Sequence, residues 1–197
     1  MSEDHCNVLL VVGSLNENSV TRVAINHLAD NLSTAGCEVN TLDFIKEPLP
    51  LFNPETVWEQ DYYSLLKKQV LRADVIVLGT PDYHGSISSI LKNFLDHFWK
   101  EFTGKLFASI VASHEKGLTV HDQLRTVARQ CYAWSMPYGV SFIEKVDVKD
   151  GKVASEEFKK RLEMLQHDIQ TYGQIISTQR AADLAGSQPG FMAQLRK

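Results

Sequence analysis

The chain alternates between short, continuously apolar runs and longer stretches in which apolar residues recur every three or four positions. Asn7 to Val12 (NVLLVV) is a β-branched apolar run ended by Gly13, as expected for a strand buried on both faces of a parallel sheet. Val75 to Gly79 (VIVLG) and Leu106 to Ala112 (LFASIVA) repeat the pattern. Between the first two, Val20, Val23, Ala24, Leu28, Leu32 and Ala35 keep a helical period, and Gly36 stands where a left-handed cap belongs. Glu38 to Asp43 offers a second strand, followed by a loop whose Pro48, Pro50 and Pro54 exclude helix interior.

A helix is predicted over 57–72. The stripe Ile87, Ile90, Leu91, Phe94, Leu95 and Phe98 predicts another, with Lys92, Asn93, Asp96, His97 and Lys100 on its polar face. Val120, Leu124, Val127, Ala128 and Cys131 mark a fourth helix, and Gly139 to Val146 a fifth strand. The last helix begins at Ser155, with Glu156 and Glu157 in its first turn, and buries Phe158, Leu162, Leu165, Ile169, Tyr172 and Ile176. Its periodicity fades after Ser177, and the GSQPG run over 186–190 reads as a turn in a C-terminal tail.

Five strands alternating with five helices predict an α/β, doubly wound fold with a five-stranded parallel sheet in the order 2-1-3-4-5. With 197 residues and no linker, one domain is expected. The 20 basic and 24 acidic residues leave a net charge of -4, which lacks the basic footprint of a nucleic-acid binder. Cys6, Cys37 and Cys131 cannot all pair within one chain, and none has metal-ligand spacing. The start, Met-Ser-Glu-Asp-His, is acidic and leads into an apolar run too short for a signal core or a membrane span. A cytoplasmic protein with no membrane partner is the expectation.

In such a sheet a ligand sits beyond the carboxyl ends of the strands where their order reverses, here between strands one and three. The loop after the first strand runs Gly13-Ser14-Leu15-Asn16-Glu17-Asn18-Ser19-Val20-Thr21-Arg22. Its hydroxyls, amides and free backbone N–H groups at a helix start suit an anion, and Arg22 adds charge in the first turn. The same residues also read as a capped helix with Ser19 or Asn18 at the N-cap. The loop Thr80-Pro81-Asp82-Tyr83-His84-Gly85-Ser86 offers an aromatic face at Tyr83 and close backbone approach at Gly85, with a helix beginning at Ser86. Alone, it reads equally well as a turn capped by Ser86. Two such loops on adjacent strands favour a phosphate-bearing ring ligand.

Ser14 to Arg22, together with Pro81 to Asp96 (PDYHGSISSILKNFLD), resembles the NAD(P)H-dependent FMN reductase family of flavodoxin-like fold. The likeness extends by spacing from about Asn7 to Ile143. It implies FMN as cofactor and NADPH or NADH as co-substrate, with a quinone, azo, flavin or metal-oxyanion compound as electron acceptor. It further implies that Ser14, Asn16, Ser19, Val20 and Thr21 wrap the FMN phosphate. Pro81, Asp82, Tyr83 and His84 would lie along the ring, and Ser113 would approach it from a third loop. Two positions depart from the family. Asn16 stands where Arg is common, so either Arg22 carries more of the phosphate charge or FMN is held more loosely, and Ser113-His114-Glu115-Lys116-Gly117 replaces a Gly-rich loop.

Other chemistries find no motif. There is no Gly-x-Ser-x-Gly elbow, no i, i+4 pair among the seven histidines, no Cys-x5-Arg and no Gly-x-Gly-x-x-Gly. A flavodoxin-like electron carrier that never turns over NAD(P)H is the alternative, and a non-catalytic interaction module a third reading. Ile87, Phe98 and Trp99 extend the apolar surface of their helix and predict a homodimer or homotetramer.

Overall fold

The computed structural model describes residues 6–196, so the acidic start at 1–5 lies outside it. Its central sheet runs β2 (Glu38–Asp43), β1 (Asn7–Val12), β3 (Val75–Pro81), β4 (Leu106–Ala112), all parallel. The fifth position is filled by two short pieces, β5 (Trp134–Ser135) and β6 (Val140–Phe142), each pairing in parallel with β4. The order 2-1-3-4-5 therefore holds, but the fifth strand differs from the expected 139–146. Pro137 lies between the two pieces and cannot donate to a ladder. Beyond Phe142 the chain turns into a single helical turn, α5 (Glu144–Asp147), then a small antiparallel pair, β7 (Val148–Lys149) and β8 (Lys152–Val153).

Alternation along β1 divides the core. Val8, Leu10 and Val12 face α1 (Val20–Thr34) and α6 (Glu156–Ala185), whereas Leu9 and Val11 face the cluster built from α2 (Asp61–Arg72), α3 (Ser89–Asp96) and α4 (Leu118–Gln130). Both faces are buried, which explains why the strands read as unbroken apolar runs rather than as alternation.

Four expectations change in detail. The third helix starts at Ser89 with Ser88 as its N-cap, not at Ser86, because residues 83–86 form a hairpin turn of their own. Two residues of its supposed polar face are buried. The Asn93 amide accepts from Phe52 N–H at 2.8 Å and donates to the Pro50 carbonyl at 2.9 Å, holding the proline loop against its own chain. His97 lies between the Asn93 carbonyl and the Tyr62 hydroxyl, and burial lowers its pKa, with Asn93 and Asp96 opposing. Phe98 is buried in a ladder of aromatic contacts with Tyr63, Phe94 and Phe102, so of the proposed apolar extension only Trp99 stands exposed. Finally, the last helix continues to Ala185, two turns past Ser177. Arg180 on the added segment donates to the Thr103 carbonyl, and the tail that follows seats Met192 against Gly104.

Candidate active site at the strand ends

The carboxyl ends of β1, β3 and β4 open into one cleft of about 260 Å³. Gly13 joins two of these strand ends: its N–H donates to the Gly79 carbonyl at 2.8 Å, and a Cβ there would meet that oxygen at 2.5 Å. Only glycine allows the ends of β1 and β3 to approach so closely.

The first loop is shaped by its own side chains. Asn16 Oδ1 accepts from Asn18 N–H at 2.9 Å, and the Ser19 N–H donates to the Asn16 carbonyl at 3.1 Å. Ser19 is the N-cap of α1, its hydroxyl accepting from Arg22 N–H at 3.3 Å. The capped-helix reading is thus correct, and it does not compete with ligand binding. Val20 and Thr21 supply first-turn N–H groups that have no acceptor within the helix. Thr21 is 1% exposed and lines the cleft, and its hydroxyl has no hydrogen-bond partner. A buried hydroxyl without a partner is costly unless a ligand completes it.

Arg22 is placed otherwise. Its Nε lies 2.6 Å from Asp43 Oδ2, its Nη2 3.1 Å from Asp43 Oδ1, and its Nη1 and Nη2 donate to the carbonyls of Asn16, Glu17 and Ser14. Burial would raise the Asp43 carboxyl, but hydrogen bonds from Arg22 and Ile45 N–H and the charges of Arg22 and Lys46 outweigh it and hold the pKa low. The guanidinium therefore neutralises Asp43 and staples the loop from behind. Among the described residues no lysine or arginine lines the cleft, and the charged ones that do are Asp82 and Glu144.

The second loop is a two-residue hairpin turn. Tyr83 and Ser86 exchange both backbone hydrogen bonds at 3.1 Å, and His84 (φ 58°) and Gly85 (φ 74°) sit between them in the left-handed region. Positive φ at both central residues defines a type I′ turn, and Gly85 is required for that reason. Asp82 locks the turn, accepting from Gly85 N–H at 2.8 Å and from the Ser113 hydroxyl at 2.9 Å. Gln123 of α4 braces it from the far side: Oε1 accepts from the Ser86 hydroxyl and Ile87 N–H, and Nε2 donates to the Gly85 carbonyl.

Of the residues singled out from sequence, the cleft brings together Ser14, Asn16, Ser19, Val20, Thr21, Pro81, Asp82, Tyr83 and Ser113. Arg22, His84 and Gly85 lie outside its lining. Ala112, His114, Asn18 and Glu144 line it as well. Asn18 lay within the loop already quoted, whereas Glu144 arrives on a helical turn read as strand and carried no local signal. The hydroxyls, the unpaired first-turn N–H groups and the partnerless Thr21 form a donor set that fits a phosphate. The half-exposed Tyr83 ring and Pro81 give a flat wall beside it. These residues fit FMN, with neutral donors and the α1 dipole meeting the phosphate charge.

Among the described residues no group of three His, Cys, Asp or Glu side chains is placed to hold a metal ion. Among the described residues no helix is long and apolar enough to cross a membrane.

Comparison with known proteins agrees with this geometry. Curated relatives from Staphylococcus aureus, described as FMN-dependent NADPH-azoreductase, are 35% identical over 94 residues, 45% of this chain and 50% of theirs. The chain thus matches about half the length of these relatives. Among solved structures, FerB, a flavoenzyme NAD(P)H:(acceptor) oxidoreductase from Paracoccus denitrificans, aligns over 86% of this chain and 97% of its own with TM-score 0.69 and 19% identity. The apo form of the NADH:FMN oxidoreductase EMOB aligns over 85% of this chain and 89% of its own with TM-score 0.67 and 16% identity. At these identities the likeness establishes the flavodoxin-like fold. The family model described as NADPH-dependent FMN reductase matches residues 6–147, which spans the whole cleft, and the chain belongs to that family.

Proposed function

We propose that this chain is an FMN-dependent NAD(P)H oxidoreductase that reduces a small-molecule acceptor: a quinone, an azo compound, a free flavin or a metal oxyanion. The observation that carries the reading is the partnerless Thr21 hydroxyl, buried beside the first turn of α1 in a cleft at the switch point of the sheet. When bound, FMN supplies the redox chemistry, taking hydride from a nicotinamide and giving two electrons to the acceptor.

The protein's share is binding, orientation and access. Ser14, Asn16, Ser19, Val20 and Thr21 would hold the phosphate. Pro81, Asp82 and Tyr83 would flank the ring, and Ser113 would meet it from the third loop. Asp82 acts as an anchor, since both of its carboxylate oxygens are spent on Gly85 N–H and Ser113. His84 lies outside the cleft lining. The open side of the cleft, beyond the exposed Tyr83, leaves room for nicotinamide and acceptor to use the same place in turn.

The electron-carrier reading lacks an observation of its own. Free Cys6, Cys37 and Cys131 support a reducing, cytoplasmic setting. Exposed Trp99, Tyr132 and Trp134 support association into a homodimer or homotetramer, which sedimentation would detect.

The deciding experiment loads the protein with FMN, removes oxygen and adds one equivalent of NADPH or NADH while the visible flavin absorbance is followed. Rapid bleaching is expected. Bound flavin that stays oxidised with both nucleotides would leave only the carrier, and failure to bind FMN would overturn the assignment of the cleft.

A further inference from the structure

A further cavity of about 350 Å³, sharing no lining residue with the cleft, lies between α4, the segment before β6 and α6. Its cationic wall comes from three separate elements: Lys116 from the third loop, Arg125 from α4 and Arg161 from α6. One carboxylate, Asp122, accompanies them, and its side chain is 71% exposed and paired with Arg125 at 3.2 Å.

Each arginine is held in place by a backbone carbonyl while keeping other donors uncommitted. Arg161 Nη1 donates to the Ser141 carbonyl at 2.6 Å and its guanidinium lies over the Phe158 ring. Among the described residues Arg161 has no carboxylate partner, and its buried Nε–H has no acceptor at all. Arg125 Nη2 donates to the Pro137 carbonyl at 2.8 Å.

The remaining polar wall is already satisfied. The Ser141 hydroxyl donates to the Lys116 carbonyl at 2.5 Å, so His121 Nε2, 2.9 Å away, must carry the hydrogen and donate to Ser141. His121 Nδ1 then accepts from the Ser109 hydroxyl at 2.8 Å. This ordered chain leaves His121 neutral, and a Cβ at Gly139 would collide with its ring, so the floor is fixed. One buried donor, Arg161 Nε–H, is left without an acceptor, and the single carboxylate among the described lining residues, Asp122, is already paired with Arg125.

We propose that this cavity is a binding site for the phosphate group of a small organic phosphate, with Lys116, Arg125 and Arg161 as its ligands. Three cationic residues lining one space match a dianion, and the fork of Arg161 suits its oxygens. Leu118, Pro137 and Tyr138 give the organic portion an apolar surface. The site is separate from the cleft but shares the 113–117 loop with it, since Ser113 and His114 line the cleft and Lys116 the cavity.

Calorimetric titration with inorganic phosphate and with phenyl phosphate, at constant ionic strength, tests the assignment. Four proteins are compared: the unaltered chain, Ser19→Asp to disable the cleft's phosphate loop, Arg161→Gln and Lys116→Gln. Binding that survives in Ser19→Asp and weakens about tenfold or more in both cavity variants is expected, with phenyl phosphate the tighter ligand. Equal affinity for the two probes would reduce the ligand to free phosphate and overturn the organic class. Lys116→Gln keeps the fold intact, because the side chain is exposed and only the Lys116 carbonyl is used structurally. No binding in the unaltered chain, loss in Ser19→Asp, or unchanged binding in Lys116→Gln would each overturn the site.

Discussion

Replacing Lys105 by Met should change how stability depends on pH more than it changes stability at neutrality. Lys105 is 1% exposed, and its ammonium donates to the carbonyls of Leu71, at 3.0 Å, and Ala73, which end α2. Burial, with Arg180 adding repulsion and Asp74 opposing it, pushes the pKa from 10.5 down to about 7. A folded-state value below the unfolded one means that, between these limits, the unfolded chain holds a proton the folded chain lacks. Stability therefore rises with pH across that window, by at most about 1.4 kcal/mol per unit. Below about pH 7 both states are protonated and the cost of burying the charge is borne in full.

Met keeps the length and removes the titration, but leaves two carbonyls without a donor, a loss of roughly 1 to 3 kcal/mol each. At pH 7 the two effects oppose and the variant should lie close to the unaltered protein. By pH 10 the unaltered protein should have gained roughly 2 to 4 kcal/mol on the variant, a range set below the full product to allow for relaxation. Urea unfolding of both proteins at several pH values measures this, and taking the difference cancels the other titrating groups. A difference constant to within about 0.5 kcal/mol from pH 7 to pH 10 would refute the reasoning.

Two further outcomes follow from buried groups. Arg22→Leu strands Asp43, whose carboxylate is 5% exposed, and should cost roughly 3 kcal/mol at pH 7 by urea unfolding. Because the pair holds the Asp43 pKa low, its contribution is present above the usual carboxylate range and lost as pH falls, so the gap between the two proteins should narrow toward pH 3; a gap unchanged by acid would reject the pairing as its source. Burial pushes the Cys6 thiol up to about 12, with Asp74 and Cys37 adding, and Cys131 up to about 11, whereas Cys37 is only half-buried. At pH 8 a thiol reagent read by peptide mass spectrometry should label Cys37 first and the other two only on unfolding; equal labelling of Cys6 would contradict this placement.

What the sequence revealed and what it hid divides along a physical line. Strands such as NVLLVV are legible because burial on both faces demands an unbroken apolar run, and Ser19 because a cap acts on residues three positions away. The cleft's position follows from topology alone. Pairings over long separations left no trace: Asp43 claims Arg22 across 21 residues, and Asn93 looks like a surface residue until Pro50 and Phe52 arrive to use its amide. Lys105 hides in FTGKLF because nothing local announces that α2 will end beside it. The extension of the last helix to Ala185 rests on contacts of Arg180 and Met192 with the 103–104 turn, which periodicity cannot register.

The hairpin turn at 83–86 is cross-braced twice, to Ser113 through Asp82 and to α4 through Gln123. The backbone of the second loop is thus tied to the third by groups other than its tip side chains. Tyr83 and His84 project from this frame with both side chains exposed and neither used to hold it. Exchanges at the tip therefore cut neither brace, but they are not equivalent: position 83 lines the cleft, whereas position 84, held at φ 58°, lies outside the lining and takes only residues that accept the left-handed region.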